Sequence, residues 1–105
     1  MYVLACFPAY NEEGIIGNLI KKTLPLVDSV VVCDDGSSDL TSKEAKDAGA
    51  FVIQHSHKKG KGAALKALFD FARHTNADII VTIDGDGQFL PEEIPKLTKD
   101  IEDGK

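Results

Sequence analysis

The sequence predicts an α/β protein built on an open, mostly parallel sheet of about four strands with helices on both faces. Three observations predict it. Four apolar, β-branched runs recur, at 2–7, 29–35, 50–55 and 77–86, and they are nearly continuous rather than alternating, the pattern of strands covered on both faces. Between them lie stretches with helical spacing. The resulting order, βαβαβαβα, joins successive parallel strands by helical crossovers.

Each element has its own local reason. After the first run, "YVLACF", the residues Ile15, Ile16, Leu19, Ile20 and Leu24 mark one helical face, and Pro25 stops the pattern because it lacks the N–H that a helix needs. The second run, "SVVVCDD", leads into a short helix over 39–48, with Ser38 or Asp39 as N-cap and Gly49 as the residue that ends it. The third run is "AFVIQH". The clearest helix follows in "GAALKALFDFARH", where Leu65, Leu68, Phe69 and Ala72 fall at i, i+3, i+4 and i+7. The fourth run, "ADIIVTIDGD", precedes a last helix that starts near Pro91, with acids in its first turn and Ile94, Leu97 and Ile101 inward. Residues 1–105 are expected to be one domain's N-terminal part, truncated at the C-terminus, because the chain stops after "IEDGK" where another strand is due.

Composition narrows the classes. A chain of 105 residues, 43% hydrophobic and 28% charged, is long enough to bury a core and ordinary for a folded domain. A net charge of -5 argues against nucleic-acid binding by a broad basic face, although "HSHKKGKG" at 55–62 is locally basic. No apolar run reaches the length of a membrane span, and "MYVLACFPAYNEE" lacks the basic start and cleavage site of a signal peptide. A cytoplasmic location is expected, with room for a longer protein to associate with the membrane face. Cys6 and Cys33 sit inside apolar runs and read as buried, reduced thiols. His55, His57 and His74 show no ligand spacing and read as surface or loop histidines.

The acids collect after the strands: "PAYNEE" after the first, "DDGSSD" after the second and "DGDGQ" after the fourth. In a parallel sheet the carboxyl ends of all strands share one edge, where ligands bind. Glu12, Glu13, Asp34, Asp35, Asp39, Asp84 and Asp86 are therefore expected on one rim, which repels itself unless a cation or hydrogen-bond donors occupy it. Mg²⁺ and Mn²⁺ take such oxygen ligands and keep positions open for phosphate. Asp84 and Asp86, at i and i+2, point to one side of an extended chain, with Gln88 next.

A calcium loop is the rival for the same letters. With Thr82 in the first position, Asp84, Asp86, Gly87, Gln88 and Glu93 fall at loop positions three, five, six, seven and twelve of the helix-loop-helix pattern. Against it, the first position has no carboxylate, Pro91 falls inside the loop, and "ADIIVTI" reads as strand.

In order and spacing, "PAYNEE", "VVVCDDGSSD", "KGKGAALKAL" and "TIDGDGQFLPEEIPKL" resemble the nucleotide-binding half of family 2 glycosyltransferases of GT-A type, closest to the dolichyl-phosphate mannose synthase-like branch. The resemblance spans nearly the whole chain and implies a Rossmann-like sheet. It implies that Pro8, Ala9, Tyr10 and Glu12 frame the base and ribose of a nucleotide sugar, and that Asp35 hydrogen-bonds the base, with Cys33 and Asp34 on the same wall. Asp84 and Asp86, with Gly85 between them, match the Asp-x-Asp signature that holds Mg²⁺ or Mn²⁺ on the diphosphate. Gln88 matches a further metal-site residue. "HKKGKGAA" matches the segment near the donor, where Lys59 or Lys61 would balance phosphate charge and Gly60 and Gly62 let the backbone come close.

The implied reaction is inverting transfer from a UDP- or GDP-linked sugar to an acceptor such as a polyprenyl phosphate or glycan. The acceptor site and the general base belong to the second half of such enzymes. No catalytic residue is assigned here, and the fragment is expected to bind donor without useful turnover. Plainer readings stand beside these: a turn and helix cap for "DDGSSD", Asp39 above all, packing alone for Tyr10, and a solvated turn for the basic stretch. The rival functions are a receiver-type Mg²⁺-binding signalling module, whose acidic pair follows the first strand, and a nucleotidyltransferase of similar fold. The latter wants a glycine-rich loop after the first strand, where this chain has no glycine before Gly14.

Overall fold

The computed structural model describes residues 1–83. Its elements are β1 (Val3–Ala9), α1 (Ile16–Thr23), a 3₁₀ turn (Leu24–Leu26), β2 (Ser29–Asp34), α2 (Thr41–Asp47), β3 (Phe51–Gln54), α3 (Lys61–Arg73) and β4 (Ile79–Thr82). The strands form one sheet in the order β3-β2-β1-β4, and every pairing is parallel. The expected helix from Pro91 lies outside the described residues.

β1 and β2 are the strands whose near-continuous apolar runs are covered on both faces. Ala5, Phe7 and Ala9 of β1, with Val30 and Val32 of β2, pack with Ile16, Leu19 and Ile20 of α1 and Ala45 of α2. The alternate residues Leu4, Cys6, Val31 and Cys33 pack with Ala64, Leu68 and Ala72 of α3. Residues i and i+2 of a strand share a face, so two helices cover one side and the third covers the other. Phe7 and Leu68, both fully buried, each contribute about 1.5–3 kcal/mol by leaving water.

The outer strands differ from expectation. In β3 the burial pattern runs from exposed Phe51 through half-buried Val52 and Ile53 to exposed Gln54, and in β4 Ile80 is also exposed. β3 pairs only with β2 and β4 only with β1 among the described strands, so their apolar runs reflect β propensity more than two-sided burial. Two helical positions expected inward, Ile15 and Phe69, are likewise exposed. Ile15 precedes the first residue of α1, and Phe69 lies on the flank of α3 beside the buried stripe of Ala64, Leu68 and Ala72.

Within α1 the buried residues Ile16, Leu19, Ile20 and Thr23 hold the helical spacing, and the Thr23 hydroxyl donates to the Leu19 carbonyl at 2.7 Å, so its burial leaves no orphaned group. Pro25 falls in the 3₁₀ turn that follows. α2 ends as expected at Gly49, whose φ of 106° is the left-handed conformation that stops a helix.

Candidate functional site

Strand register brings the segments after the strands to one edge. Pro8 and Ala9 of β1 stand opposite Cys33 and Asp34 of β2, and Asp34 stands opposite Gln54 of β3. The ladder runs one residue further on each side: the Asp35 N–H donates to the Ala9 carbonyl and the His55 N–H to the Asp34 carbonyl, both at 2.9 Å. The Ile83 N–H reaches the Cys6 carbonyl at 2.9 Å, so β4 also ends toward this edge.

Asp35 is the centre of the described site. It is only 4% exposed, yet its carboxylate is well supplied with donors. Oδ1 accepts from His55 Nδ1 at 2.8 Å and from the Lys59 N–H at 2.9 Å, and Oδ2 accepts from the Gly60 N–H at 2.8 Å. Burial pushes its pKa up, but the hydrogen bonds from His55, Lys59 and Gly60 outweigh it, so the carboxyl is held below its ordinary value. Gly60 has φ of 105° and immediately precedes α3, and this conformation lets its N–H turn toward Asp35.

Asp34 faces the other side of the sheet. Its Oδ1 accepts from the Ser37 N–H at 2.9 Å and its Oδ2 from the Ser42 hydroxyl. Two adjacent carboxylates thus have separate partners, because neighbouring residues of an extended chain point to opposite faces.

Among the described acids of the expected rim, the protein itself supplies hydrogen-bond donors. The Glu13 carboxylate accepts the Leu40 N–H at 3.1 Å. Asp39 accepts the Thr41 N–H at 3.0 Å and the Thr41 hydroxyl, together with the Glu13 N–H at 3.2 Å, which lowers its pKa chiefly through the Thr41 contacts. The cap expected at Ser38 or Asp39 is not what the structure shows: the N-cap of α2 is Leu40, which has no side-chain capping hydrogen bond, and Asp39, one residue further out, closes a turn onto Thr41 instead. Asn11, at φ of 51°, ties the first loop to the second: its N–H donates to Ser37 Oγ at 2.8 Å and its Oδ1 accepts the Ser38 N–H at 2.9 Å. Backbone amides and hydroxyls thus donate hydrogen bonds to these described acids. Among the described residues no group of three or more His, Cys, Asp or Glu side chains is placed to hold a metal.

The other expected residues divide by burial. Ala9 and Cys33 are buried, Pro8 and Glu12 half-buried, Tyr10 exposed. The Glu12 N–H is held by the Thr41 hydroxyl at 2.9 Å. Tyr10 does more than pack: the Lys58 ammonium stands 4.1 Å from its ring centroid, a cation–π contact that joins the first loop to the basic segment. Gly36, at φ of 78°, lies so close to the backbone of His57 and Lys58 that any Cβ would overlap them. Lys59 reaches Asp35 through its backbone; the side chains of Lys59 and Lys61 are exposed. Asp84, Gly85, Asp86 and Gln88 lie outside the described residues.

His55 corrects an expectation. It is not a surface residue: its side chain is 12% exposed, with Nδ1 on Asp35 and Nε2 3.8 Å from Cys33 Sγ. His57 and His74 are exposed as expected. Sequence spacing gave no sign of the pair, since 35 and 55 become neighbours only through the β2–β3 register. Ser42 left no sign either, since it meets Asp34 only because α2 folds back over the end of β2.

Two rivals lose ground here. Receiver modules have the sheet order 2-1-3-4-5, and this sheet runs β3-β2-β1-β4. A calcium loop needs a preceding helix, whereas Ile79–Thr82 is strand β4.

The class follows from likeness of fold. The chain is similar to the glucosyl-3-phosphoglycerate synthase of Mycobacterium tuberculosis crystallised with Mn²⁺, UDP-glucose and phosphoglyceric acid, with a TM-score of 0.81 and 32% identity, covering 99% of this chain and 40% of that one. The architecture is the α/β fold of GT-A glycosyltransferases. The profile described as "Glycosyl transferase family 2" matches residues 5–105, and the chain belongs to that family. It is 37% identical over 100 residues to the protein MJ1222 of Methanocaldococcus jannaschii, covering 94% of this chain and 41% of that protein. It is 30% identical over 115 residues to the undecaprenyl-phosphate 4-deoxy-4-formamido-L-arabinose transferase of Edwardsiella ictaluri, covering 98% and 34%. The chain thus spans about two fifths or less of these relatives' length.

Proposed function

We propose that residues 1–105 are the donor-binding part of a glycosyltransferase that takes a nucleoside diphosphate sugar with Mg²⁺ or Mn²⁺ and transfers the sugar, with inversion, to a polyprenyl phosphate or glycan. The observation that carries this reading is the buried Asp35 carboxylate, set at the sheet edge where ligands bind in such folds and clasped by the Lys59–Gly60 backbone. Pro8, Ala9, Tyr10 and Glu12 would frame base and ribose, Asp35 would accept from the base, and Cys33 and Asp34 would stiffen that wall from behind. Lys61 would lie toward the phosphates.

Asp84, Asp86 and Gln88 would hold the metal, beside Gly85. Their two carboxylates and one amide oxygen are the hard donors that Mg²⁺ and Mn²⁺ prefer. When bound, the ion supplies Lewis-acid stabilisation of the departing diphosphate. The synthase crystallised with UDP-glucose and Mn²⁺ supports a uridine nucleotide over a guanosine one. The undecaprenyl-phosphate transferase supports a polyprenyl phosphate acceptor, as in the dolichyl-phosphate mannose synthase-like branch. Acceptor site and general base would lie in the further length that the relatives possess, so this chain alone would bind donor without useful turnover. Among the described residues no helix is long and apolar enough to cross a membrane; work at the cytoplasmic membrane face would rest on segments beyond these.

Titration of UDP and GDP, each with and without Mn²⁺, into isotopically labelled protein tests the reading. UDP should move the amide signals of Tyr10, Asp35 and Asp86 together, and only weakly without the cation. Measurable sugar transfer by the purified 105-residue chain, or no response to either nucleotide, would overturn it.

A further inference from the structure

We propose that Cys33 and His55 form a buried relay that fixes Asp35: the Cys33 S–H donates to His55 Nε2, and His55 donates its Nδ1–H to Asp35 Oδ1, which makes His55 a positioning residue for the nucleobase. The relay rests on geometry alone; its consequence for the base rests on the donor-binding reading.

The distances are 3.8 Å from Cys33 Sγ to His55 Nε2 and 2.8 Å from His55 Nδ1 to Asp35 Oδ1. A neutral imidazole has one donor and one acceptor nitrogen, and an ionised carboxylate only accepts. Nδ1 must therefore hold the proton, which leaves Nε2 as an acceptor facing the thiol. Cys33 is fully buried. Burial, with the charges of Asp35 and Asp34 nearby, pushes its pKa up to about 11, so at neutral pH it retains the proton it has to donate.

The relay determines what Asp35 can offer. Each carboxylate oxygen has two lone-pair directions. Both of those on Oδ1 are taken, by His55 and Lys59, while Oδ2 accepts only from Gly60 among the described residues. One acceptor direction remains, suited to a base that presents a single ring N–H between carbonyls. Removing His55 frees a second direction on Oδ1 and a pivot for the carboxylate, which blurs that preference.

Imidazole ¹⁵N spectra of the free chain at neutral pH read the tautomer without any nucleotide. The expected result is a protonated Nδ1 and a bare Nε2 on His55, with Cys33→Ala leaving Nδ1 protonated, because Asp35 still needs its donor, and shifting the Nε2 signal as the thiol donor is lost. A protonated Nε2, whether Nδ1 is bare or also protonated, overturns the relay. Calorimetric titration of UDP with Mn²⁺ then tests the positioning role. His55→Ala should weaken binding about tenfold, the scale of one hydrogen bond to a charged group. His55→Gln, which restores an N–H donor, should recover most of the loss. If Asp35→Asn weakens UDP binding but His55→Ala does not, or if His55→Gln fails to rescue a folded protein, the positioning role is wrong. Should UDP fail to bind the unaltered chain, the donor reading fails, and the tautomer alone decides the relay.

Discussion

Glu44, in the first turn of α2, closes the N-terminus of α1 from outside that helix: its Oε2 accepts the Gly14 N–H at 2.8 Å and its Oε1 the Gly17 N–H at 2.9 Å. α1 has no side-chain cap of its own, so a carboxylate 27 residues from Gly17 does the work usually done by a local serine or aspartate. Glu44→Ala should cost about 1–2 kcal/mol of stability. Chemical denaturation with an unchanged slope would register it. Gly17→Ala should act through the same pair, since a Cβ there would stand 2.9 Å from Glu44 Cγ and push the carboxylate aside.

Gly36→Ala should destabilise the protein by about 1–3 kcal/mol, because it combines a strained positive φ with backbone overlap. The overlap falls on His57 and Lys58, so the damage should spread to their neighbours. Hydrogen exchange at Lys59 and Gly60, whose amides rest on Asp35, should quicken more than exchange in α1. Equal change in both regions would argue against this local coupling.

Asp35 gives stability a defined pH dependence. Its folded-state pKa lies below the ordinary value of 3.8, so its contribution is complete above the ordinary carboxylate range and is lost as pH falls through the depressed folded value. Asp39 adds in the same direction. The thermal midpoint of Asp35→Asn should therefore lie below that of the unaltered protein at neutral pH, and the two should converge as the pH drops below about 4. A constant gap across that range would show that the ionised form is not what the fold stabilises.

Cys6 and Cys33 should both resist thiol reagents in the native state at neutral pH. Both are buried, and burial pushes each pKa up to about 11, leaving little thiolate to react. A colorimetric thiol assay should count neither without denaturant and both with it.

On the proposed function, Asp86→Asn should remove the dependence of nucleotide binding on Mn²⁺ while leaving the circular dichroism spectrum and thermal midpoint unchanged. Full retention of the cation effect would move the metal to other ligands.

The sequence made the sheet legible because periodicity reports burial. β1 and β2 are central, so their apolar runs are unbroken, and α1 and α3 carry stripes that read through Leu19 and Leu68. Edge position left no comparable mark: "AFVIQH" reads like a central strand, yet Phe51 is 58% exposed. The acids were located correctly at the strand ends by Asp34 and Asp35, but their partners were not, since donors such as the Lys59 and Gly60 amides come from distant segments brought close by register. Backbone N–H groups have no letter in the sequence.

The central place of β1 also bears on synthesis. It precedes the other strands in the chain, yet it pairs on one side with β2 through Leu4 and Ser29 and on the other with β4 through Val3 and Ile79. On the ribosome it emerges before the other described strands and must wait for the last of them before its second flank is covered. Such distant parallel pairing makes assembly slow, and in the meantime the nascent β1, whose own residues are nearly all core, exposes apolar surface of the kind that chaperones cover.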